Sequence, residues 1–315
     1  MFKVMTWNVE NLFRPGAPAG PDSQDIYETK LQGLASTIDG QSADAVALQE
    51  IGNPDALGDL VDRLEGTWER KVSEHPDGRG IRVAWLSRRP ITGSGDIVGF
   101  PAPLRPVQAD DGSASEAEMG RGAAAITVTA DSGVPVRLVG PPEVEAPHVP
   151  RRPVRSHGRG RASPIRRVRL FRRAAEAATV RVWATAELAG IGEDRPLVLT
   201  GDLNDTVHAA TTQLLLGPPG SEIGTGGFDT PDQGDHQRLW NLAPLMPEGK
   251  DYSRVNQGRK ELIDHIMVSA ALVRQVALIE AVIDQPLPSI STDPTARLNQ
   301  PSSDHAPIVA TFSEF

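Results

Sequence analysis

Cysteine is absent from this chain of 315 residues, which excludes a disulfide-stapled fold and any metal site with thiolate ligands. A chain without cysteine fits a cytoplasmic protein, and this is the location that we expect. No run of 18 or more apolar residues is present, so we expect no transmembrane helix. The N-terminal stretch MFKVMTWNVENLF lacks the basic and apolar regions of a signal peptide, and its composition predicts a strand.

An excess of basic residues is also missing. The formal net charge is −9, and leaving out residues 141–173, which hold ten Arg and two Glu, gives 22 basic and 39 acidic residues, a net charge of −17. Because an acidic surface repels polyanions, tight non-specific binding to duplex nucleic acid is disfavoured. An acidic protein can still act on phosphate esters when a divalent cation supplies positive charge locally.

Short β-rich apolar runs alternate with helical patterns along the chain, and no internal repeat is present. The runs predict strands at residues 2–9, 43–50, 81–87, 122–130, 134–140, 195–205, 261–269, 276–283 and 306–312. Helical spacing predicts helices at residues 27–38, 55–65 and 172–190. The Gly-, Pro- and Asp-rich stretches 88–120 and 218–260 are predicted to be loops. We therefore predict a single α/β domain over residues 1–315.

Polar residues cluster at five points where an apolar run stops. The clusters are Asn8 with Glu10, Glu50, Asp202 with Asn204, Asp264 with His265, and Asp304 with His305. Ligand-binding groups collect at strand ends because the sheet holds them rigidly while the loops leave them open to solvent. Carboxylate and amide oxygens without cysteine suit a hard cation such as Mg²⁺ or Mn²⁺. A histidine beside a carboxylate is typical of a general base.

Each cluster also has a plainly structural interpretation. Glu50 is compatible with the cap of a helix or turn, and the stretch GDLND is compatible with an Asx turn. In SSDHAP, Asp304 suits the cap of a turn and His305 suits a structural histidine. Asp264 is harder to explain in this way, because a carboxylate buried within an apolar strand needs a partner.

Five motifs in order, TWNVENL, ALQE, TGDLND, LIDHIMVS and SSDHAPIVATF, resemble those of the endonuclease/exonuclease/phosphatase superfamily. That group includes abasic-site endonucleases, pancreatic-type deoxyribonucleases, sphingomyelinases and inositol-polyphosphate phosphatases. The resemblance spans Phe2 to Phe312. It implies a four-layer α/β/β/α sandwich of two mixed sheets with outer helices, and metal-dependent hydrolysis of a phosphoester at one end of the sheets.

The resemblance implies two groups of site residues. Those on the metal side are Asn8, Glu50 and Asp304, with Glu50 as the direct ligand of Mg²⁺ or Mn²⁺. Those on the catalytic side are the water- and phosphate-orienting pair Asp202 and Asn204, and the carboxylate–histidine pair Asp264 and His305. The resemblance leaves open which of Asp202 and His305 is the general base. Outside these motifs, Arg121 is a candidate for contact with phosphate, although we expect an ordinary surface residue.

The implied function is Mg²⁺-dependent hydrolysis of a phosphodiester or phosphomonoester. The candidate substrates are nucleic acid, a lipid head group or a small phosphoester, and the acidic composition favours the smaller ones. The alternative is a member of the same fold that binds metal or ligand without catalysis. No sequence feature implies a protein partner, and we expect a monomer.

Residues 141–173 differ from the rest of the chain, with ten Arg, six Pro and no Lys or Asp. In many superfamily members the strand that corresponds to 134–140 continues into His-Leu-(Lys/Arg)-Ser, whose histidine stabilises the transition state or protonates the leaving group. Here Gly140 is followed by Pro141 and Pro142, which lack the backbone donors that a continuing strand needs. One interpretation is a genuine basic arm that binds nucleic acid.

A second interpretation uses the genetic code alone. Codons compatible with residues 141–170, read one base later, encode H-L-K-S-K-P-P-T-F-P-G-G, and the histidine codon then straddles Pro141 and Pro142. We hypothesise a compensated pair of frameshifts, in the gene or in its sequencing, with the normal frame resuming near Leu170. The basic composition would then give no evidence for nucleic-acid binding. For the chain as written, which lacks one transition-state group, we predict weak or no activity.

Overall fold

The computed structural model describes residues 1–108, 114–140, 164–291, 296–313 and 315, and only the backbone of residues 164–169. In chain order the strands are β1 (Phe2–Leu12), β2 (Ala45–Ile51), β3 (Glu69–Val72), β4 (Arg82–Ser87), β5 (Gly93–Gly99), β6 (Val107–Gln108), β7 (Ser115–Glu116), β8 (Glu118–Thr129), β9 (Pro135–Gly140), β10 (Leu197–Asp202), β11 (Leu239–Asn241), β12 (Arg254–Asn256), β13 (Arg259–Glu261), β14 (Asp264–Ser269), β15 (Val276–Ala281), β16 (Ser289–Ile290) and β17 (Ile308–Phe312). The helices are α1 (Gln24–Gln41), α2 (Pro54–Val61), α3 (Pro164–Leu188), α4 (Ala210–Leu216) and α5 (Ala270–Val273).

Two six-stranded sheets form the centre of the molecule, and both are mixed. The first has the order β15-β17-β1-β2-β4-β3, and the second has the order β11-β14-β10-β9-β8-β5. Each sheet contains a parallel pair, β1 with β2 and β9 with β10, among antiparallel neighbours. A smaller sheet has the order β13-β12-β16. Its three strands all follow β11 in the chain.

Three apolar clusters separate four layers. One cluster fills the space between the sheets, where Trp85 is fully buried and donates its Nε1–H to the carbonyl of Ala124 at 2.9 Å. A second cluster lies between the first sheet and α1 and α2, and a third lies between the second sheet and α3 and α4. Burial on both faces explains the nearly continuous apolar runs of the central strands. The predicted four-layer α/β/β/α sandwich is confirmed.

The two helices of the first outer layer, α1 and α2, are each capped at the N-terminus by a polar side chain. The Ser23 side chain accepts a hydrogen bond from the backbone N–H of Ile26, and the Asn53 side chain accepts one from Ala56. Pro54 occupies the first turn of α2, where a missing N–H costs nothing. Both helices therefore begin directly after a loop that leaves the first sheet.

The prediction that residues 88–120 and 218–260 form loops is wrong in part, because both ranges contain strands. The first contains β5, which forms the edge of the second sheet by pairing with β8, and the second contains β11 and β12. The β5 sequence GSGDIVG has no apolar alternation, so pairing with a neighbouring strand and not local propensity sets its conformation. Helix α3 also begins earlier than predicted, at Pro164.

The expectation that Arg121 is a surface residue is also wrong. Its side chain is 2% exposed and donates to Asp77 Oδ2 from Nε at 2.9 Å and from Nη2 at 2.7 Å. A buried guanidinium needs such a partner, because an unpaired charge in the interior is costly. Arg121 therefore anchors the loop that contains Asp77.

The Arg/Pro-rich segment 141–170 lies mostly outside the described residues, and its frameshift origin stays a prediction. No helix among the residues that the structure describes is both long enough and apolar enough to span a bilayer.

Candidate active site

The site forms at the ends of β1 and β2, which are parallel neighbours in the first sheet. Asn8 is aligned with Gln49 in this pair, and the register then shifts before Leu12 and Ile51. At the shift, Glu10, Asn11 and Glu50 adopt left-handed backbone conformations with φ of 51°, 53° and 61°. Such angles are unfavourable for residues with a Cβ and concentrate at functional sites. The irregularity lies at the carboxyl ends of both strands, which pair again at Leu12 and Ile51.

The second sheet supplies two buried carboxylates at the same end. Asp202 is the last residue of β10, Asp264 is the first residue of β14, and the two are register partners in the antiparallel pair. Both residues are 0% exposed. Two carboxylates held together away from water repel each other, and a neighbouring positive charge or a proton on one of them relieves this repulsion.

Asn8 joins the two sheets. Its Nδ2 donates to Asp202 Oδ2 at 2.9 Å, and its Oδ1 accepts from the backbone N–H of Glu10 at 2.9 Å. On the other side, the backbone N–H of Asn204 donates to Asp202 Oδ1 at 2.8 Å. The Asp202 carboxylate is thus fixed by groups from both sheets.

His305 lies between the two carboxylates. Its Nδ1 lies 2.7 Å from Asp264 Oδ2, and its Nε2 lies 3.9 Å from Asp202 Oδ2. Burial lowers the pKa of His305, but the charges of Asp264 and Asp202 and the hydrogen bond to Asp264 outweigh this effect and raise the pKa well above its ordinary value. The backbone is fixed as well, because Trp7 Nε1 donates to the His305 carbonyl at 2.8 Å.

A cavity of about 400 Å³ opens at this edge of the two sheets. The residues of the predicted site that line it are Asn8, Glu50, Asn204, Asp304 and His305. Asp202 and Asp264 lie behind His305, fully buried and outside the lining. The structure therefore brings all seven predicted site residues to one end of the molecule, where five line the cavity and two are buried beside it.

The donor set fits a hard divalent cation. Glu50 and Asp304 bring carboxylates to the cavity, and Glu50 Oε2 is oriented by the backbone N–H of Asn11 at 2.7 Å. Behind them, one ligand atom each from Asp202, Asp264 and His305 lies within 4.8 Å of the other two. Oxygen-rich sites of this kind bind Mg²⁺ or Mn²⁺.

Glu10 has a different role from the other acids of the cavity. Arg297 Nε donates to Glu10 Oε1 at 2.6 Å and Arg297 Nη2 donates to Oε2 at 2.8 Å, while the backbone N–H of Asp304 donates to Oε2 at 3.0 Å. Burial raises the pKa of Glu10, and Arg297 opposes this rise. Lys30, from α1, donates its ammonium to the Glu10 carbonyl. Glu10 therefore anchors the loop before β17 against the end of β1.

Sequence reasoning missed Lys30, Arg254 and Arg297. Arg297 meets Glu10 across 287 residues of chain. Arg254 lines the cavity, where its Nη2 donates to Glu261 at 3.0 Å and its Nη1 approaches Asn204 Oδ1 at 3.4 Å. None of these cations belongs to a short motif.

Comparisons with known proteins agree on the fold. The model of the endonuclease/exonuclease/phosphatase family matches residues 5–305. No curated protein sequence matches the chain. Among solved structures, the mannosyl-6-phosphatase of Bacteroides thetaiotaomicron is similar, with 15% identity, a TM-score of 0.62 and full coverage of both chains.

Two further structures are similar over almost their whole length. Truncated Caenorhabditis elegans TDP2 has 17% identity, a TM-score of 0.59 and coverage of 99% of this chain and 97% of that one. The human Nocturnin catalytic domain with bound sulfate has 16% identity, a TM-score of 0.56 and coverage of 99% and 94%. At these identities the likeness shows the fold alone. The family match extends over most of the chain, and the chain therefore belongs to the endonuclease/exonuclease/phosphatase family.

Proposed function

We propose that the protein is a divalent-metal-dependent phosphoester hydrolase. The family is named for nucleases and phosphatases, and the similar structures include a protein named as a phosphatase and one with a bound sulfate, which has the tetrahedral shape of a phosphate group. The single observation that carries the proposal is the position of His305. It lines the cavity and is held by a buried 2.7 Å hydrogen bond to Asp264.

The metal side of the site consists of Glu50, Asp304 and Asn8. A divalent cation bound there supplies Lewis-acid polarisation of the phosphate and makes water easier to ionise. Glu50 offers a carboxylate oriented by the Asn11 backbone. Asn8 contributes its Oδ1 while its Nδ2 is held by Asp202.

The catalytic side consists of His305 and Asn204, with Asp202 and Asp264 behind them. Asp264 fixes the imidazole ring and stabilises its positive charge, so His305 offsets the negative charge that develops on the phosphoryl oxygens. Asn204 lines the cavity, where its side-chain amide would contact the phosphate of a bound substrate. Asp202 orders the site from within by its bonds to Asn8 and Asn204.

The test is hydrolysis of p-nitrophenyl phosphate and bis-(p-nitrophenyl) phosphate with Mg²⁺, with Mn²⁺ and with EDTA. We expect weak turnover that requires the cation and that falls by a further factor of about 10²–10³ in His305→Asn. His236→Asn, which changes an exposed histidine, is the matched control and should leave the rate unchanged. Turnover that survives EDTA, or an equal loss in both variants, would contradict the proposal.

A second function is favoured by one observation in the sequence. Gly140 at the end of β9 is followed by Pro141 and Pro142, where the family motif predicts a histidine. A protein that lacks this group can bind metal and phosphate without hydrolysing the ester. Calorimetric binding of Mn²⁺ with no turnover of either nitrophenyl ester would favour this function over the first.

A further inference from the structure

The cavity contains no aromatic side chain. The whole chain has 14 aromatic residues, five Trp, two Tyr and seven Phe, and every one lies in the part that the structure describes. None of them lines the cavity. Most of them are buried in the three apolar clusters. The exposed aromatic residue Phe171, whose exposed fraction is 63%, lies on α3 and does not line the cavity.

Without an aromatic ring, the cavity has no surface on which a nucleobase could stack. Sites that hold unpaired bases place them against aromatic rings, and each stacked base contributes about 1–3 kcal/mol. Here the 400 Å³ cavity offers no such platform, and the chain has a net charge of −9 that disfavours a long polyanion. A base attached to the reacting phosphate would therefore remain in solvent.

One wall of the cavity is instead polar and comes from the small sheet. β12 pairs with β13 and, in parallel, with β16, so that Arg254 lies near Ser289 and Ile290 on the cavity wall. The amide of Gln300 continues this wall. Ile290 and Ala296 are the apolar residues among the described lining, so the cavity gives an alkyl chain little to bury against.

Arg254 is the cation of this wall. Its Nη2 is held by Glu261 at 3.0 Å, its Nη1 has only a long contact of 3.4 Å to Asn204 Oδ1, and its buried Nε has no hydrogen-bond partner among the described residues. Since Arg254 lines the cavity and its Nη1 has only this long contact, Nη1 is the nitrogen that can donate to a ligand oxygen. The guanidinium is thus placed to bind oxygen atoms next to the reacting phosphate.

We propose that the site takes a phosphate ester of a small, hydroxyl-rich, non-aromatic alcohol, a sugar or polyol phosphate. Its alcohol part lies against the wall formed by Arg254, Ser289 and Gln300. This inference rests on the proposed function, because it assigns the substrate class of the same site. The polar wall binds the hydroxyl groups, and a base would find no aromatic ring to stack on.

Calorimetric titration with matched ligands in Mn²⁺ tests the substrate class without requiring turnover. Ribose 5-phosphate and AMP differ by the base, and n-pentyl phosphate keeps the five carbons without the hydroxyls. We expect AMP to bind no more tightly than ribose 5-phosphate, and n-pentyl phosphate to bind at least tenfold more weakly. AMP at least fivefold tighter, n-pentyl phosphate equal or tighter, or no binding of ribose 5-phosphate would each overturn the inference.

Two arginine variants locate the binding wall. Arg254→Gln should weaken ribose 5-phosphate at least tenfold, whereas Arg259→Gln, on the neighbouring strand β13 and exposed, should not. Equal affinities in both variants would remove Arg254 from the site. The nitrophenyl assay separates the two proposals. If the ligands bind in the expected order but no ester is hydrolysed, only the hydrolase proposal is contradicted. If esters are hydrolysed but AMP or n-pentyl phosphate binds best, only the proposed substrate class is contradicted.

Discussion

His305 and Asp264 are joined by a buried 2.7 Å hydrogen bond although 41 residues separate them in the chain. Asp264 begins β14 of the second sheet, and His305 precedes β17 of the first. The bond therefore crosses the interface between the sheets. The imidazole can reach its partner only when the apolar cluster between the sheets is packed, so the site and the core form together.

Replacing Asp264 by Asn tests the role of this bond. The amide cannot stabilise the positive charge of His305, so we expect kcat for p-nitrophenyl phosphate to fall by about 10²–10⁴ relative to the parent chain. The exposed acid Asp229 provides the control, and Asp229→Asn should keep the parent rate. Full activity in Asp264→Asn would show that the pair does not contribute to catalysis.

Glu50→Gln tests the metal side. Loss of one anionic oxygen should weaken Mn²⁺ binding at least about tenfold, because hard cations depend on carboxylate ligands. The readout is the calorimetric Kd for Mn²⁺, which does not depend on turnover. Glu65→Gln, an exposed change just beyond α2, should leave the Kd unchanged. Equal Kd values for the two variants would move the cation away from Glu50.

His265 makes stability depend on pH in a direction that the structure fixes. Its Nε2 donates to the Asp205 carbonyl at 2.9 Å, and its Nδ1 accepts from Asn241 Nδ2 at 3.1 Å, because Asn241 Oδ1 already accepts from the Ala243 N–H at 2.9 Å. The ring is thus held neutral. Burial lowers the pKa of His265, against the opposing hydrogen bond and charges of Asp205 and Asp264.

At a pH between the folded and the unfolded pKa of His265, this residue is therefore protonated in the unfolded chain and neutral in the folded chain. Stability should fall as the pH drops below about 6.5 toward the lowered folded pKa, by up to about 1.4 kcal/mol per pH unit. His265→Gln should be less stable than the parent at pH 7.5, with the gap narrowing at pH 5.5 in urea unfolding. The exposed control His236→Gln should follow the parent at every pH. A gap of constant size would show that His265 does not titrate differently on folding.

The Arg/Pro-rich segment leads to a prediction about the gene and about activity. Resequencing should show a nucleotide run over residues 141–170 that encodes H-L-K-S in the shifted frame. A chain restored in this way regains the histidine, and its kcat should exceed that of the chain as written by about 10²–10³. A confirmed run without that alternative frame would contradict the frameshift, and equal turnover by the two chains would contradict the predicted gain in activity.

The strands with strong apolar runs were predictable, because burial on both faces leaves little choice of residue. β10, from the run before GDLND, and β17, from the run after SSDHAP, are examples. β5 was missed because its glycines carry no pattern and its order comes from β8. The pairing of Glu10 with Arg297 was missed for a related reason, since nothing local to either residue marks the other.

The sequence by itself determined the layered α/β class, the polar clusters at strand ends and the suitability of those clusters for a hard cation. These properties depend on residue type and short spacing, which a linear chain displays directly. Only the tertiary structure decided which acids face the cavity and which lie behind it. Asp202 and Asp264 are buried behind His305, while Glu10 is held by Arg297. Such distinctions arise from contacts between segments that are far apart in the chain, so they exist only once the two sheets have packed.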